Sequence, residues 1–115
     1  MRAIIFHLLV TFNGSVYAIE GMDKEAVRQV VRTKIPDLRK CFEESNPKGE
    51  EGTLIMKWTI DKGGSVSAVS VEDRTTFKDE TFLICAKDTV KKWKFENPPQ
   101  GMVGVVIFPF IFQKN

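Results

Sequence analysis

A chain of 115 residues, 43% hydrophobic and 28% charged, has the balance of a globular domain rather than of a disordered or fibrous segment. Its net charge of +2 lacks the basic excess of a nucleic-acid-binding domain, so no nucleic-acid partner is expected. The length suits one domain with a single small core.

Residues 1–18 read as a secretory signal peptide. Arg2 supplies a positive start, residues 3–12 (AIIFHLLVTF) form an apolar run interrupted by His7 and Thr11, and Val16-Tyr17-Ala18 presents a peptidase site, with cleavage expected between Ala18 and Ile19. The competing readings are an uncleaved membrane anchor and a buried first strand. Ten apolar residues rise about 15 Å as a helix, half the hydrocarbon thickness, so no span is expected. No cysteine follows the run to carry a lipid. Cleavage would remove Arg2 and no acid, leaving residues 19–115 as a single periplasmic or secreted domain of net charge +1.

Asp23 is a suitable helix N-cap, and Val27, Val30, Val31, Ile35, Leu38, Cys41 and Phe42 follow at three- and four-residue spacing. At 100° per residue they span an arc of about 140°, the width of a core-facing stripe. Pro36 is expected to kink or split this helix near Lys34 and Ile35, with the Lys34 stem lying along the stripe's edge. Residues 45–49 (SNPKG) end it.

Two strands are predicted next. Leu54, Met56, Trp58 and Ile60 alternate with Thr53, Ile55, Lys57 and Thr59. Asp61-Lys62-Gly63-Gly64 marks a tight hairpin, because its glycines accept positive φ. Val66, Val69 and Val71 break strict alternation, which predicts a β-bulge near Ser67 and Ala68. A second helix is predicted to start around residues 77–79, with Thr75 or Thr76 as caps. Phe82, Leu83, Cys85, Ala86, Val90 and Trp93 form its apolar face, and residues 97–101 (NPPQG) stop it. Lys87, Lys91 and Lys94 read as a solvated basic row.

The final segment, residues 102–112 (MVGVVIFPFIF), is the most apolar stretch after residue 18. Its β-branched and aromatic content predicts a strand, with Val106, Phe108, Phe110 and Phe112 on one face and Val105, Ile107 and Ile111 on the other. Pro109 cannot donate to a ladder, which predicts an edge strand or a bulge there. The order α-β-β-α-β implies an α+β fold: a two-layer sandwich of a three-stranded antiparallel sheet, order 2-1-3, with both helices on one face.

Cys41 and Cys85 fall on the apolar stripes of the two helices. An even cysteine count behind a secretory signal predicts a disulfide between them, the alternative being two buried free thiols. The single histidine, His7, lies in the signal, so no imidazole base and no histidine metal site would survive cleavage. The acid pairs Glu43-Glu44, Glu50-Glu51, Glu72-Asp73 and Asp79-Glu80 sit at helix ends or turns, where solvation explains them. No cofactor, metal or catalytic residue is expected, and the chain reads as not an enzyme.

Several motifs resemble those of one family. Residues 38–43 (LRKCFE) are similar to the "R-x-C-Y-E" helix end of the AgmX/PglI C-terminal domains, named after gliding-motility proteins. Residues 59–66 (TIDKGGSV) resemble their "I-x-x-x-G-x-V" hairpin. Cys85 with residues 90–95 (VKKWKF) resembles the second cysteine and the "R-x-W-x-F-P" helix exit, and residues 108–112 (FPFIF) the closing "Y-P-F-x-F". Phe42 and Phe108 stand where the family has tyrosine, and Glu96 where it has proline. The wider group is the TonB and TolA C-terminal domain, which implies the element order given above. In TonB-type transducers a spanning helix and a long Pro-rich spacer precede this domain; here only the binding end is expected. The resemblance and the apolar last strand together point to strand addition. A protein partner in the cell envelope, within a transport or gliding-motility system, would pair along Val103, Val105, Ile107, Pro109 and Ile111. The alternative is a structural subunit that assembles, as a homodimer or in an envelope complex, through the same strand.

Overall fold

The computed structural model describes residues 6–10, 18–45 and 50–114. In chain order the elements are β1 (Phe6–Val10), β2 (Ala18–Glu20), α1 (Lys24–Ser45), β3 (Gly52–Ile60), β4 (Val66–Val71), α2 (Glu80–Lys91) and β5 (Gly104–Lys114), with a 3-10 turn, Pro99–Gly101, before β5. Of the signal-peptide reading, residues 1–5 and 11–17 lie outside the described residues, as do residues 46–49 of the helix-ending cluster.

Local chemistry sets the boundaries. Asp23 accepts from the Ala26 N–H (3.0 Å) at the start of α1, and Asp79, rather than Thr75 or Thr76, caps α2 by accepting from the Phe82 N–H (3.0 Å). Pro36 does not split α1, which runs through it for 22 residues. Burial of Val27 and Val31 before the proline and of Leu38, Cys41 and Phe42 after it holds both halves against the same core. The β3–β4 hairpin closes as its sequence demands. The Asp61 carboxylate accepts from the N–H groups of Gly63 and Ser65 (3.0 Å each), and Gly64 takes φ +84°. A Cβ on Gly64 would meet the Phe95 carbonyl, whose residue also donates its N–H to the Gly64 carbonyl (2.8 Å). Thr59 pairs with Ala68 and Ile60 with Val66, leaving Ser67 as the extra residue of the expected bulge.

The sheet is antiparallel throughout and four strand positions wide, which corrects the three-stranded expectation. β3 lies between β4 and β5, and β5 is interior rather than an edge. Its outer neighbours are β2, paired with residues 105–107, and β1, paired with residues 110–114. The apolar run read above as a signal thus supplies a strand. The reason is backbone satisfaction: a long apolar strand with an unpaired side must be covered by water or by another strand, and this chain contains an apolar segment able to cover it.

Pro109 is accommodated by a break in that outer position. Ile55, opposite Pro109, donates its N–H to Thr75 Oγ1 (2.9 Å) and accepts from the Glu72 N–H (2.8 Å), both on the side away from β5. Antiparallel partners alternate between pairs that exchange bonds and pairs that do not. Ile55 and Pro109 are therefore a non-bonded pair, and the proline nitrogen faces outward. There it meets neither β1 nor β2, since residues 108 and 109 fall between their registers.

Both helices pack on one face. Leu54, Met56, Trp58 and Ile60 of β3 and Val106, Phe108, Phe110 and Phe112 of β5 are almost wholly buried against them. Phe42 of α1 stacks on Phe112 (4.7 Å between centroids), and Phe82 of α2 meets the same ring edge-on (5.6 Å), so the helices converge on a single aromatic cluster that Phe77 completes. Such pairs add about 0.5–1.5 kcal/mol each beyond area burial. A second ring group forms around Trp58, which Trp93 meets edge-on at 5.8 Å and Phe95 stacks against at 6.0 Å. The indole N–H groups of Trp58 and Trp93 are buried without an oxygen or nitrogen acceptor among the described residues.

Candidate protein-binding edge

The residues nominated along the last strand divide by geometry. Val103 precedes β5 and is 49% exposed. Its backbone is covered by Gly21, whose φ of +74° lets the chain after β2 approach so closely that a Cβ would collide with the Val103 carbonyl. Val105, Ile107, Pro109 and Ile111 alternate with the core-facing residues, so their side chains lie on the sheet face away from the helices. There Val105, Ile107 and Ile111 are half-buried and Pro109 is buried beside Ile55. Their backbone groups point outward in the sheet plane, by the alternation that turns Ile55 and Thr53 the other way. Strand pairing from the outer side would engage these residues through the main chain, with their side chains displayed on the open face.

That outer side is occupied twice. Ala18, Ile19 and Glu20 pair with Ile107, Val106 and Val105. Residues 6–10 pair with residues 114–110 in unbroken antiparallel register. The expected cleavage site, between Ala18 and Ile19, falls inside β2, and Ile19 is itself buried in the core. A shallow depression of about 260 Å³ lies over the β3–β5 pair at this end of the sheet, lined by Thr53, Ile111, Gln113 and their neighbours.

Cys41 and Cys85 are joined in a disulfide, with Cα atoms 5.8 Å apart. The bond links the end of α1 to the middle of α2. Cys41 is buried, with its sulfur 3.1 Å from Thr89 Oγ1, whereas Cys85 is half-buried. The bond fits an oxidising, extracytoplasmic compartment. No helix among the described residues is long and apolar enough to cross a membrane.

Beside the disulfide a cleft of about 340 Å³ opens between the helices. Lys34, Lys40 and Lys92 rim it together with Asp37 and Glu44, so it selects no single charge. Among the described residues no three His, Cys, Asp or Glu side chains gather as a metal site. Of the basic row, Lys87 and Lys91 lie on α2, whereas Lys94, exposed like Lys91, lies beyond it and donates to Ser65 Oγ (2.8 Å), tying the helix exit to the β3–β4 hairpin.

Two polar residues carry structural work that sequence reading did not assign. Thr75 donates to the Ile55 carbonyl (3.2 Å) and accepts its N–H, and Thr76 Oγ1 accepts from the Thr53 N–H (2.9 Å). They extend the β4 side of the sheet along β3 after β4 has ended. Nothing in a Thr-Thr pair before a helix distinguishes this role from capping. Comparison with family models, curated proteins and solved structures finds no match to this chain.

Proposed function

We propose that the chain is an extracytoplasmic, non-enzymatic protein-binding module of the TonB/TolA C-terminal type, which takes a partner's extended segment as an added strand on the outer side of β5. One observation carries this reading: that side of β5 already holds two separate segments in antiparallel register, with a break at Pro109 between them. Main-chain bonds would supply affinity, and Val105, Ile107 and Ile111 on the open face would contribute selectivity. The resemblance of residues 38–43, 59–66 and 108–112 to the AgmX/PglI domains supports the same class, with the partner a cell-envelope protein of a transport or gliding-motility system.

The test is capture from the protein's own cell envelope by the tagged chain, compared with the Val105→Lys, Ile107→Lys and Ile111→Lys variants. Capture that all three substitutions leave unchanged would show that this strand is not the site. A second reading, a structural subunit that self-associates here, draws on the exposed Met102 (53%) and Val103 (49%) at the head of β5. Size-exclusion chromatography over a range of concentrations separates the two: a monomer supports a receptor for another chain, a tight dimer the structural role.

A further inference from the structure

We propose that residues 6–10 are an internal stand-in for the partner strand, and that removal of residues 1–18 opens the site for a segment of the same chemistry. The inference rests on the strand-addition reading above. Thr53 and Ile55 turn their N–H and C=O groups toward Thr76, Thr75 and Glu72, so their antiparallel partners Ile111 and Pro109 turn theirs to the outer side. Gln113 follows by alternation. β1 is the segment that faces Ile111 and Gln113, through Leu9 and His7.

Cleavage between Ala18 and Ile19 would divide this edge in two. Ile19 and Glu20 would stay on Val106 and Val105, with Ile19 still in the core, while Ile107 would lose Ala18. The outer half, from Phe110 to Lys114, would lose its neighbour. Pro109 bounds that opening, because it offers no outward donor, so the fitting segment spans about five residues before pairing fails.

The register defines its chemistry. In the intact chain Val10 and Leu8 stand opposite Phe110 and Phe112, whose rings are fully buried in the aromatic cluster, Phe110 beside Trp58, Trp93 and Phe108 and Phe112 among Phe42, Phe77 and Phe82. A charge at either position would be set beside that cluster without a partner. The positions opposite Ile111 and Gln113 fall by alternation on the open-face side, where Gln113 is exposed and a polar group can meet water. The occupant is thus an extended, antiparallel, apolar segment, uncharged at alternate positions.

The experiment uses the exported product and the full 115-residue chain produced without export and oxidised. The probe is a labelled peptide of residues 5–11 (IFHLLVT). Mass measurement should place the exported N-terminus at Ile19, and this product should bind the peptide at least about tenfold more tightly than the full chain does. Replacing the peptide's Leu8 and Val10 equivalents by lysine should weaken binding by about tenfold or more. Export with residues 1–18 intact overturns the proposal. So does equal binding by both chains, or a mature chain that is unfolded by circular dichroism, which would make residues 6–10 a structural strand. A mature chain that dimerises and excludes the peptide assigns the edge to a second copy and overturns it too. Failure of the peptide while envelope capture remains sensitive to Val105→Lys sinks this inference alone; loss of both sinks the strand-addition reading with it.

Discussion

Removing the Cys41–Cys85 bond should cost this domain a large share of its stability. The cysteines are 44 residues apart, and the chain between them contains the whole β3–β4 hairpin. Cross-linking a loop of about 45 residues removes chain entropy from the unfolded ensemble worth about 4 kcal/mol at 25 °C. Domains of this size have about 5–15 kcal/mol in total, so the bond separates a robust fold from a marginal one. At about 4–8 °C per kcal/mol, the Cys41→Ala/Cys85→Ala variant should melt about 15–30 °C lower. Urea unfolding of the two proteins, followed by tryptophan fluorescence, measures the difference, because Trp58 and Trp93 are both buried and report loss of the core. Reduced wild type should fall within about 1 kcal/mol of the variant, since the remaining difference is the small volume lost at Cys41. A gap between oxidised wild type and the variant of less than about 1 kcal/mol would refute the loop-entropy reasoning. It would mean that residual structure already restricts the freedom of the unfolded chain.

Two further substitutions test the packing. Phe42→Ala removes the ring that joins α1 to Phe77, Phe82 and Phe112, and should cost about 3–5 kcal/mol in urea unfolding; a loss below about 2 would mean that the cluster can close over the gap. Thr75→Val keeps the shape but strips the hydroxyl that serves both backbone groups of buried Ile55. It should cost about 1–3 kcal/mol and accelerate hydrogen exchange at the Ile55 amide, whereas Thr75→Ser should retain most of the protection. Unchanged exchange in the valine variant would show that another group satisfies Ile55.

Much of this molecule is written locally in its sequence. Side-chain period alone sorts Leu54, Met56, Trp58 and Ile60, and Phe108, Phe110 and Phe112, onto the buried face, because alternate residues of a strand must point to opposite sides. The glycines and Asp61 of the hairpin, the extra Ser67 and the Asp23 cap are equally short-range, each depending on bonds within a few residues. What lies beside β5 has no such signature. Its outward N–H and C=O groups are the same on every residue, so periodicity reports which face is buried and is silent on which segment fills the edge.

Only the assembled sheet decided that residues 6–10 sit there, that Pro109 needs a gap in its outer neighbour rather than a free edge, and that Thr75 and Thr76 serve β3 instead of α2. The disulfide stands between these cases. Composition nominated the two cysteines, and the packing of both helices on one face brought them within bonding distance. Side-chain patterns set the layers of this protein; the partners of its backbone were settled in three dimensions, where hydrogen-bonding groups that look alike in sequence find different neighbours.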